Sequence, residues 1–192
     1  APQELTLSAN GATVAFTSQR DLTGGNPAGR PRVYTVNADG TVLTLQPAPV
    51  YTSCAGSGTP PHAVAPTLSA GGAVAYQVLR FSCSFTTWAV ALPDGLDVFL
   101  PVGDGTDGPS LSASGQLLAF RRGGAPTFEI WVSDVSGLIF NFKVEDADWH
   151  TVPVLSGDGS QVVYVNTRLG WLIRREVGGP GRDVVAGINP SP

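Results

Sequence analysis

The sequence has 192 residues, among them 24 Gly and 16 Pro, and 14% of its residues are charged while 42% are hydrophobic. This composition is too apolar for a disordered chain and too rich in turn-forming residues for a helical one, so it favours an all-β fold. The net charge of -4, with 11 scattered basic residues, argues against a nucleic-acid partner. No apolar run approaches the ~20 residues that a membrane-spanning helix needs.

A motif that opens with Leu-Ser and closes with an aromatic residue occurs four times. In each copy a Gly lies five residues before the aromatic, and an alternating apolar run leads up to it. The closing aromatics Phe16, Tyr76, Phe120 and Tyr164 are 60, 44 and 44 residues apart. A repeat of this period predicts an array of similar supersecondary units. The copies are residues 7–16, 68–76, 111–120 and 155–164.

In chain order, the first unit predicts four antiparallel strands. ELTLS and ATVAFTS flank the turn Asn10-Gly11, a long polar loop runs from Gln19 to Pro31, and RVYTVN and TVLTLQ flank the turn Asp39-Gly40. Alternating apolar residues bounded by Asn-Gly or Asp-Gly are the usual signature of hairpins.

The other three units repeat this scheme after a linker from Pro47 to Ala65. Their third strands place Trp88, Trp131 and Ile173 at the position that Tyr34 takes in the first unit. The predicted strands are PTLSA, AVAYQVL, TTWAVAL and LDVFLPV in the second unit, PSLSA, QLLAFRR, FEIWVSD and LIFNFKV in the third, and PVLSG, QVVYVN, WLIRREV and RDVVAG in the fourth.

This repeat resembles the TolB-type β-propeller repeat, a WD-like unit. The resemblance rests on the Pro before Leu-Ser in units two to four, the apolar strand that ends in the aromatic, and the turn Asp158-Gly159. It implies a single domain over residues 1–192, a β-propeller of four four-stranded antiparallel blades at about 4–46, 65–102, 108–144 and 152–187.

The resemblance leaves the closure of the array open, because such propellers usually have six or seven blades. We expect a single closed ring, in which small residues at the start of each unit face a narrow channel. Two chains that pair into an eight-bladed ring, and a chain that is part of something longer, are the alternatives.

The blade topology predicts a disulfide between Cys54 and Cys83. The loop that enters a blade and the loop between its second and third strands lie on one face of the ring, and each contains one of these cysteines. The alternative is two free buried thiols. A disulfide, together with the first residue Ala1 rather than Met, predicts a chain exported to an oxidising compartment.

Two acidic stretches have some of the residue types of a metal site. Glu145, Asp146, Asp148 and His150 lack the paired ligands of a zinc motif, and we expect a solvated acidic loop anchored by Trp149. Around Asp104 and Asp107 the closing acidic residue of a calcium loop is missing. We therefore expect neither metal nor cofactor. The absence of a G-x-S-x-G elbow and of an activated cysteine predicts a protein that is not an enzyme.

An arginine follows the closing aromatic by four residues in three units, at Arg20, Arg80 and Arg168. Together with Trp149 these arginines could bind an anionic ligand such as a carboxylate or an acidic sugar on the loop face. The alternative is that they bond neighbouring loops.

These features favour a secreted, periplasmic or cell-surface interaction module with a structural role, which assembles with copies of itself or binds another protein. Its rival is a ligand-binding propeller that uses the loop face. A third hypothesis is the non-catalytic propeller of a larger enzyme.

Overall fold

A computed structural model describes residues 4–47, 62–79, 86–91, 97–103, 107–123, 126–135, 141–179 and 182–187. Sixteen β-strands form four antiparallel sheets, in which each strand pairs with its neighbours in the sequence. The predicted all-β fold of four four-stranded units is therefore confirmed. No helix occurs among the described residues, so none of them forms a helical membrane span.

Each sheet contains four consecutive strands. The first sheet has β1 (Leu5–Leu7), β2 (Thr13–Ser18), β3 (Arg32–Asn37) and β4 (Thr44–Leu45), and the second has β5 (His62–Leu68), β6 (Val74–Leu79), β7 (Thr86–Ala91) and β8 (Asp97–Gly103). The third has β9 (Asp107–Leu111), β10 (Leu117–Arg122), β11 (Phe128–Asp134) and β12 (Asn141–Asp148), and the fourth has β13 (Val154–Leu155), β14 (Gln161–Asn166), β15 (Trp171–Glu176) and β16 (Arg182–Gly187).

The Ser of each Leu-Ser pair closes the first hairpin of its sheet. Its Oγ accepts a backbone N–H from the start of the next strand, for example Thr13 N at 2.9 Å on Ser8 and Gln161 N at 2.9 Å on Ser156. Ser69 and Ser112 do the same for the residues that follow their turns. The repeated Ser is thus a structural residue, and it explains why the motif keeps Leu-Ser next to a Gly turn.

Two polar stretches that were predicted to lie in loops belong to strands. His62 begins β5 and does not lie in a linker, because its backbone pairs with that of Leu79. The stretch that contains Glu145, Asp146 and Asp148 is the end of β12 and not a loop, because β12 continues to pair with β11 as far as Phe128 opposite Asp148.

The predicted equivalence of the third-strand aromatics fails in the second sheet. Tyr34 pairs with Phe16 and Trp131 pairs with Phe120, but Trp88 pairs with Gln77, one residue beyond the closing aromatic Tyr76. The residue that pairs with Tyr76 is Ala89, so Ala89 and not Trp88 is the positional equivalent of Tyr34 and Trp131.

Hydrophobic cores lie between consecutive sheets. Three clusters of buried residues are present in the described chain, one for each junction from the first sheet to the fourth. In each junction the Leu and the closing aromatic of the following sheet pack on small or branched residues of the preceding one. The closing aromatics that take part are Tyr76, Phe120 and Tyr164, and the residues that meet them include Ala15, Ala75 and Ala119.

The expected closed ring is not what the described residues show. Four sheets in a closed ring would share four cores, but only three are found among these residues, and no described strand of the first sheet packs extensively on the fourth. The equivalent leucines show the difference directly: Leu68, Leu111 and Leu155 are 9%, 7% and 6% exposed, whereas Leu7 is 55% exposed. Among the described residues the four sheets form an open array, in which the first and the fourth sheet each pack on one other sheet.

Candidate functional site

Two of the predicted ligand-binding residues, Trp149 and Arg168, lie together at the junction of the third and fourth sheets. Asp148, the last residue of β12, links them: its Oδ2 accepts from Arg168 at 2.9 Å and from Asn166 at 2.8 Å, and its Oδ1 accepts the N–H of Trp149 at 2.9 Å. These bonds hold the pKa of Asp148 at about 2, with the Arg168 hydrogen bond as the largest cause. Arg168 is therefore neutralised by a carboxylate of its own chain.

His150, next in the chain, has a structural position. It is 3% exposed, its Nδ1 lies 2.8 Å from the carbonyl of Phe128, and its ring packs edge-on against Tyr164. Arg121 donates to the carbonyl of His150 at 3.0 Å and stacks on Phe128. These contacts fasten the start of the fourth sheet to the third, which supports the interpretation that arginines on this face bond neighbouring loops.

The remaining predicted site residues do not join this cluster. Arg20 lies in the long loop of the first sheet, where its carbonyl accepts from the Tyr34 hydroxyl at 2.8 Å. Arg80, Cys54 and Cys83 lie outside the described residues, so the predicted disulfide stays a prediction. Asp104 and the side chains of Asp107, Glu145 and Asp146 also lie outside them, and the side chains that are described include no group of three that could hold a metal ion.

The long loop at residues 19–31 is organised by one buried amide. Asn26, 3% exposed, donates to the carbonyls of Gln19 and Arg30 and accepts the N–H of Arg30. The loop bends over one side of the first sheet: besides the bond from Tyr34 to Arg20, a Cβ placed on Gly25 would lie 2.7 Å from Leu45. It covers the part of the sheet farthest from β1.

That side of the first sheet is an apolar surface that the sequence reasoning did not identify as a site. Strand pairing aligns Leu5, Phe16, Tyr34 and Leu45 in a row across the four strands. Tyr34 is buried under the loop, but Leu5 at the other end of the row is 67% exposed. We call the exposed part of this side, formed by Leu5, Leu7, Val14 and Phe16, the first end face.

The other end of the array has a corresponding surface on the fourth sheet. Val154 pairs with Val163, and Val165 pairs with Leu172, on the side that faces away from the third sheet. Val154 is 63% exposed, and the other three are partly exposed. We call these four residues the second end face. Their equivalents in the other sheets, such as Ala75 and Ala119 for Val163, are fully buried against the next sheet.

Solved structures with this arrangement are β-propellers. A TolB protein from Agrobacterium tumefaciens superposes with a TM-score of 0.63 at 17% identity over 95% of this chain, and TolB from Acinetobacter baumannii with a TM-score of 0.62 at 19% identity over 92%. The fold is a TolB-like β-propeller. The resemblance seen in the sequence is thus confirmed at the level of the fold.

The TolB-like array matches only part of the longer chains. It spans 65% of the A. tumefaciens protein, 42% of the A. baumannii protein, and 32% of an acylaminoacyl peptidase from Pyrococcus horikoshii, which it matches with a TM-score of 0.60 at 12% identity. No protein-family model matches the sequence, and no curated protein is similar to it. At these identities the comparisons show the fold of the TolB-like array and not its activity.

Proposed function

We propose that this chain is a non-catalytic interaction propeller that acts outside the cytoplasm and assembles with copies of itself. The observation that supports this most directly is the pair of end faces. Each has the side chains that elsewhere in the array are buried against a neighbouring sheet, and each leaves them in contact with solvent. Contiguous exposed apolar side chains of this kind are typical of protein–protein interaction surfaces.

The location outside the cytoplasm rests on the pair Cys54 and Cys83. Their loops enter the second sheet and connect its second and third strands, a placement that suits a disulfide in a blade of this topology. Mass spectrometry of the unreduced protein should find the two peptides joined. Two alkylated thiols in protein purified from an oxidising medium would contradict this part of the proposal.

The rival function, ligand binding on the loop face, has one observation in its favour. Trp149 is 46% exposed, and Asp148, which accepts its backbone N–H, also accepts from Arg168. Because Asp148 already neutralises Arg168, this patch favours an uncharged ring or an apolar peptide side chain over an anion. An anionic ligand would therefore have to bind basic side chains other than Arg168.

The self-assembly is tested by sedimentation velocity of the full chain over a range of concentrations. We expect the wild type to form larger species as its concentration rises, and Leu7→Ser to weaken association at least ~10-fold, about 1.4 kcal/mol. Because Leu7 is exposed, this substitution should change the free energy of unfolding of the dilute protein by less than ~1 kcal/mol.

The matched control is Leu111→Ser, the equivalent position inside the array. Leu111 is 7% exposed, so its loss should cost about 3 kcal/mol of unfolding free energy through the cavity and the buried hydroxyl. A wild type that stays monomeric at every concentration would contradict the assembly, and equal destabilisation by both substitutions would contradict the exposed position of Leu7.

A further inference from the structure

We infer that the two end faces bind each other: the first end face of one copy docks on the second end face of another, head to tail, as consecutive sheets do within the chain. This inference rests on the proposed self-assembly and adds its direction and register. It assigns Leu7 of one copy to the place that Leu68, Leu111 and Leu155 occupy in the three internal junctions.

The internal junctions define what the first end face lacks. In each of them, a Leu and the closing aromatic of the following sheet are buried by the preceding sheet, so that Tyr76, Phe120 and Tyr164 are no more than 2% exposed. Leu7 and Phe16 are the same pair in the first sheet, in the same strand register, but no described residue takes the place of a preceding sheet. Because the same pair packs on the preceding sheet in every internal junction, we expect Leu7 and Phe16 to pack on the fourth sheet of another copy.

A row of hydrogen bonds at the inner turns supports the same register. At every junction the carbonyl two residues after the Leu accepts from the preceding sheet: Ala70 O from Asn10 Nδ2 at 2.9 Å, Ala113 O from Gly71 N at 3.4 Å, and Gly157 O from Ala113 N at 2.7 Å. Ala9 is the fourth member of this series, and it lies at the free end of the array. In the docked pair its carbonyl faces the turn of the fourth sheet of the next copy.

The second end face supplies the other half of the junction. Val163 stands where Ala15, Ala75 and Ala119 are buried. It pairs with Val154 on one side and with Arg174 on the other, and Leu172 pairs with Val165. Val163 has two methyl groups more than the alanines, so the junction between copies is bulkier at this point than the internal ones. The first end face is apolar, whereas the second combines its four apolar residues with the exposed Arg174, which stands where Val90 and Val132 are buried in the internal junctions.

Docking through the sheet edges is a weaker alternative. The outer edge strand of the first sheet, β4, is only two residues long, and short edge strands offer little backbone for pairing with another chain. The exposed leucines point out of the plane of the sheet and not along its edge. At the first sheet the geometry therefore favours packing face to face.

Paired cysteines test the register. A Cβ placed on Gly157 would lie 3.6 Å from the Cβ of Ala113 across the junction of the third and fourth sheets, which is within the ~3.5–4.5 Å of a disulfide. Gly157 does not have a positive φ, so a side chain there is not strained. The variant Ala9→Cys/Gly157→Cys places the equivalent pair at the two free ends, and Ala113→Cys/Gly157→Cys is the matched control within one chain.

We expect the control to form a disulfide inside one chain and the test variant to form disulfides between chains on oxidation, seen as dimers or a ladder on a non-reducing gel. The single variants Ala9→Cys and Gly157→Cys account for any reaction with the native cysteines. Leu7→Ser in the test background should remove most of the covalent product.

Three results would overturn the inference. A disulfide that joins Ala9→Cys and Gly157→Cys within one chain would show that the array closes on itself. Association in sedimentation without this crosslink would show that copies meet through other surfaces, and the proposed self-assembly would still stand. If the wild type does not associate at all, the inference and the proposed function both fail.

Discussion

At the scale of single residues, two carboxylates have well-defined partners and strongly lowered pKa values. Asp158 accepts from the hydroxyls of Ser156 and Ser160 and from the N–H of Ser160, and these bonds lower its pKa from 3.8 to about 2. Asp148 reaches about 2 chiefly through Arg168. The two residues have different tasks, since Asp158 closes the turn after β13 and Asp148 joins β12 to the loop after β14.

These pKa values predict how stability depends on pH. A carboxyl whose pKa is lower in the folded than in the unfolded state stabilises the fold above its unfolded pKa, and this stabilisation is lost as the pH falls through the folded pKa. For Asp148 and Asp158 that window runs from about 4 down to about 2. Asp148→Asn and Asp158→Asn should each make the free energy of unfolding less dependent on pH between these values.

The measurement is urea unfolding at a series of pH values between 2 and 6, roughly spanning the window of carboxylate titration. Thr41→Val is a useful comparison, because it removes the hydroxyl that most lowers the pKa of another turn residue, Asp39. If Asp148→Asn keeps the full slope of the wild type between pH 4 and 2, the Arg168–Asp148 pair contributes nothing to stability.

At the scale of the elements, the glycine turns of the sheets differ in what surrounds them. Gly159 has φ +75° and Gly40 has φ +82°, so both occupy the left-handed region that side chains avoid. A Cβ on Gly159 would lie 2.7 Å from Leu117 of the neighbouring sheet, whereas a Cβ on Gly40 would meet nothing within 4 Å. Substitution by Ala therefore tests backbone strain alone at Gly40, and backbone strain together with packing at Gly159.

We expect Gly40→Ala to lower the free energy of unfolding by about 1–2 kcal/mol, the cost of a left-handed backbone for a residue with a Cβ. Gly159→Ala should cost at least ~1 kcal/mol more, because Leu117 must shift within a packed junction. Thermal and urea unfolding of the two variants give the comparison. Equal losses would indicate that the junction at Leu117 is loosely packed.

Local sequence was sufficient to predict the strands and turns, because alternation and turn residues are properties of a few neighbouring residues. Local sequence was not sufficient to predict register. The residue that pairs with Trp88 depends on how β7 aligns with β6, which the sequence of β7 alone does not contain. The sequence predicts loops at His62 and Asp148 for a similar reason, since polar residues at the ends of strands resemble loop residues.

The candidate site was harder to predict than the fold. Leu7 and Leu111 begin nearly identical motifs, LSANG and LSASG, yet one is largely exposed and the other buried. The difference comes from the position of the unit in the array, which no local pattern contains. In the same way, the sequence showed that Trp149 and Arg168 were candidates but not that Asp148 would neutralise the arginine.

At the scale of the whole molecule, an open array predicts an uneven distribution of stability. In the part of the chain that the structure describes, the second and third sheets have neighbours on both sides, and the first and fourth have one each. In stacked repeats, stability is approximately a sum of unit and nearest-neighbour contributions, so the end units open most easily. We expect the amides of β2 and β14 to exchange with solvent at least ~10-fold faster than those of β6 and β10.

Native-state hydrogen exchange with mass spectrometry at low protein concentration measures the exchange rates of these amides. The closing aromatics provide matched positions, with Phe16 and Tyr164 in the end sheets and Tyr76 and Phe120 in the middle ones. At high concentration the proposed docking should slow exchange at both ends. Uniform exchange at low concentration would instead indicate a closed ring.

The loop at residues 19–31 has a consequence for how selective the free end can be. With Asn26 holding its shape, it shields Tyr34 and leaves a narrow hydrophobic strip along β1 and β2. A bare sheet of four strands would attract many proteins with an exposed apolar surface. The loop thus limits the exposed apolar surface of the first sheet to the strip along its two innermost strands.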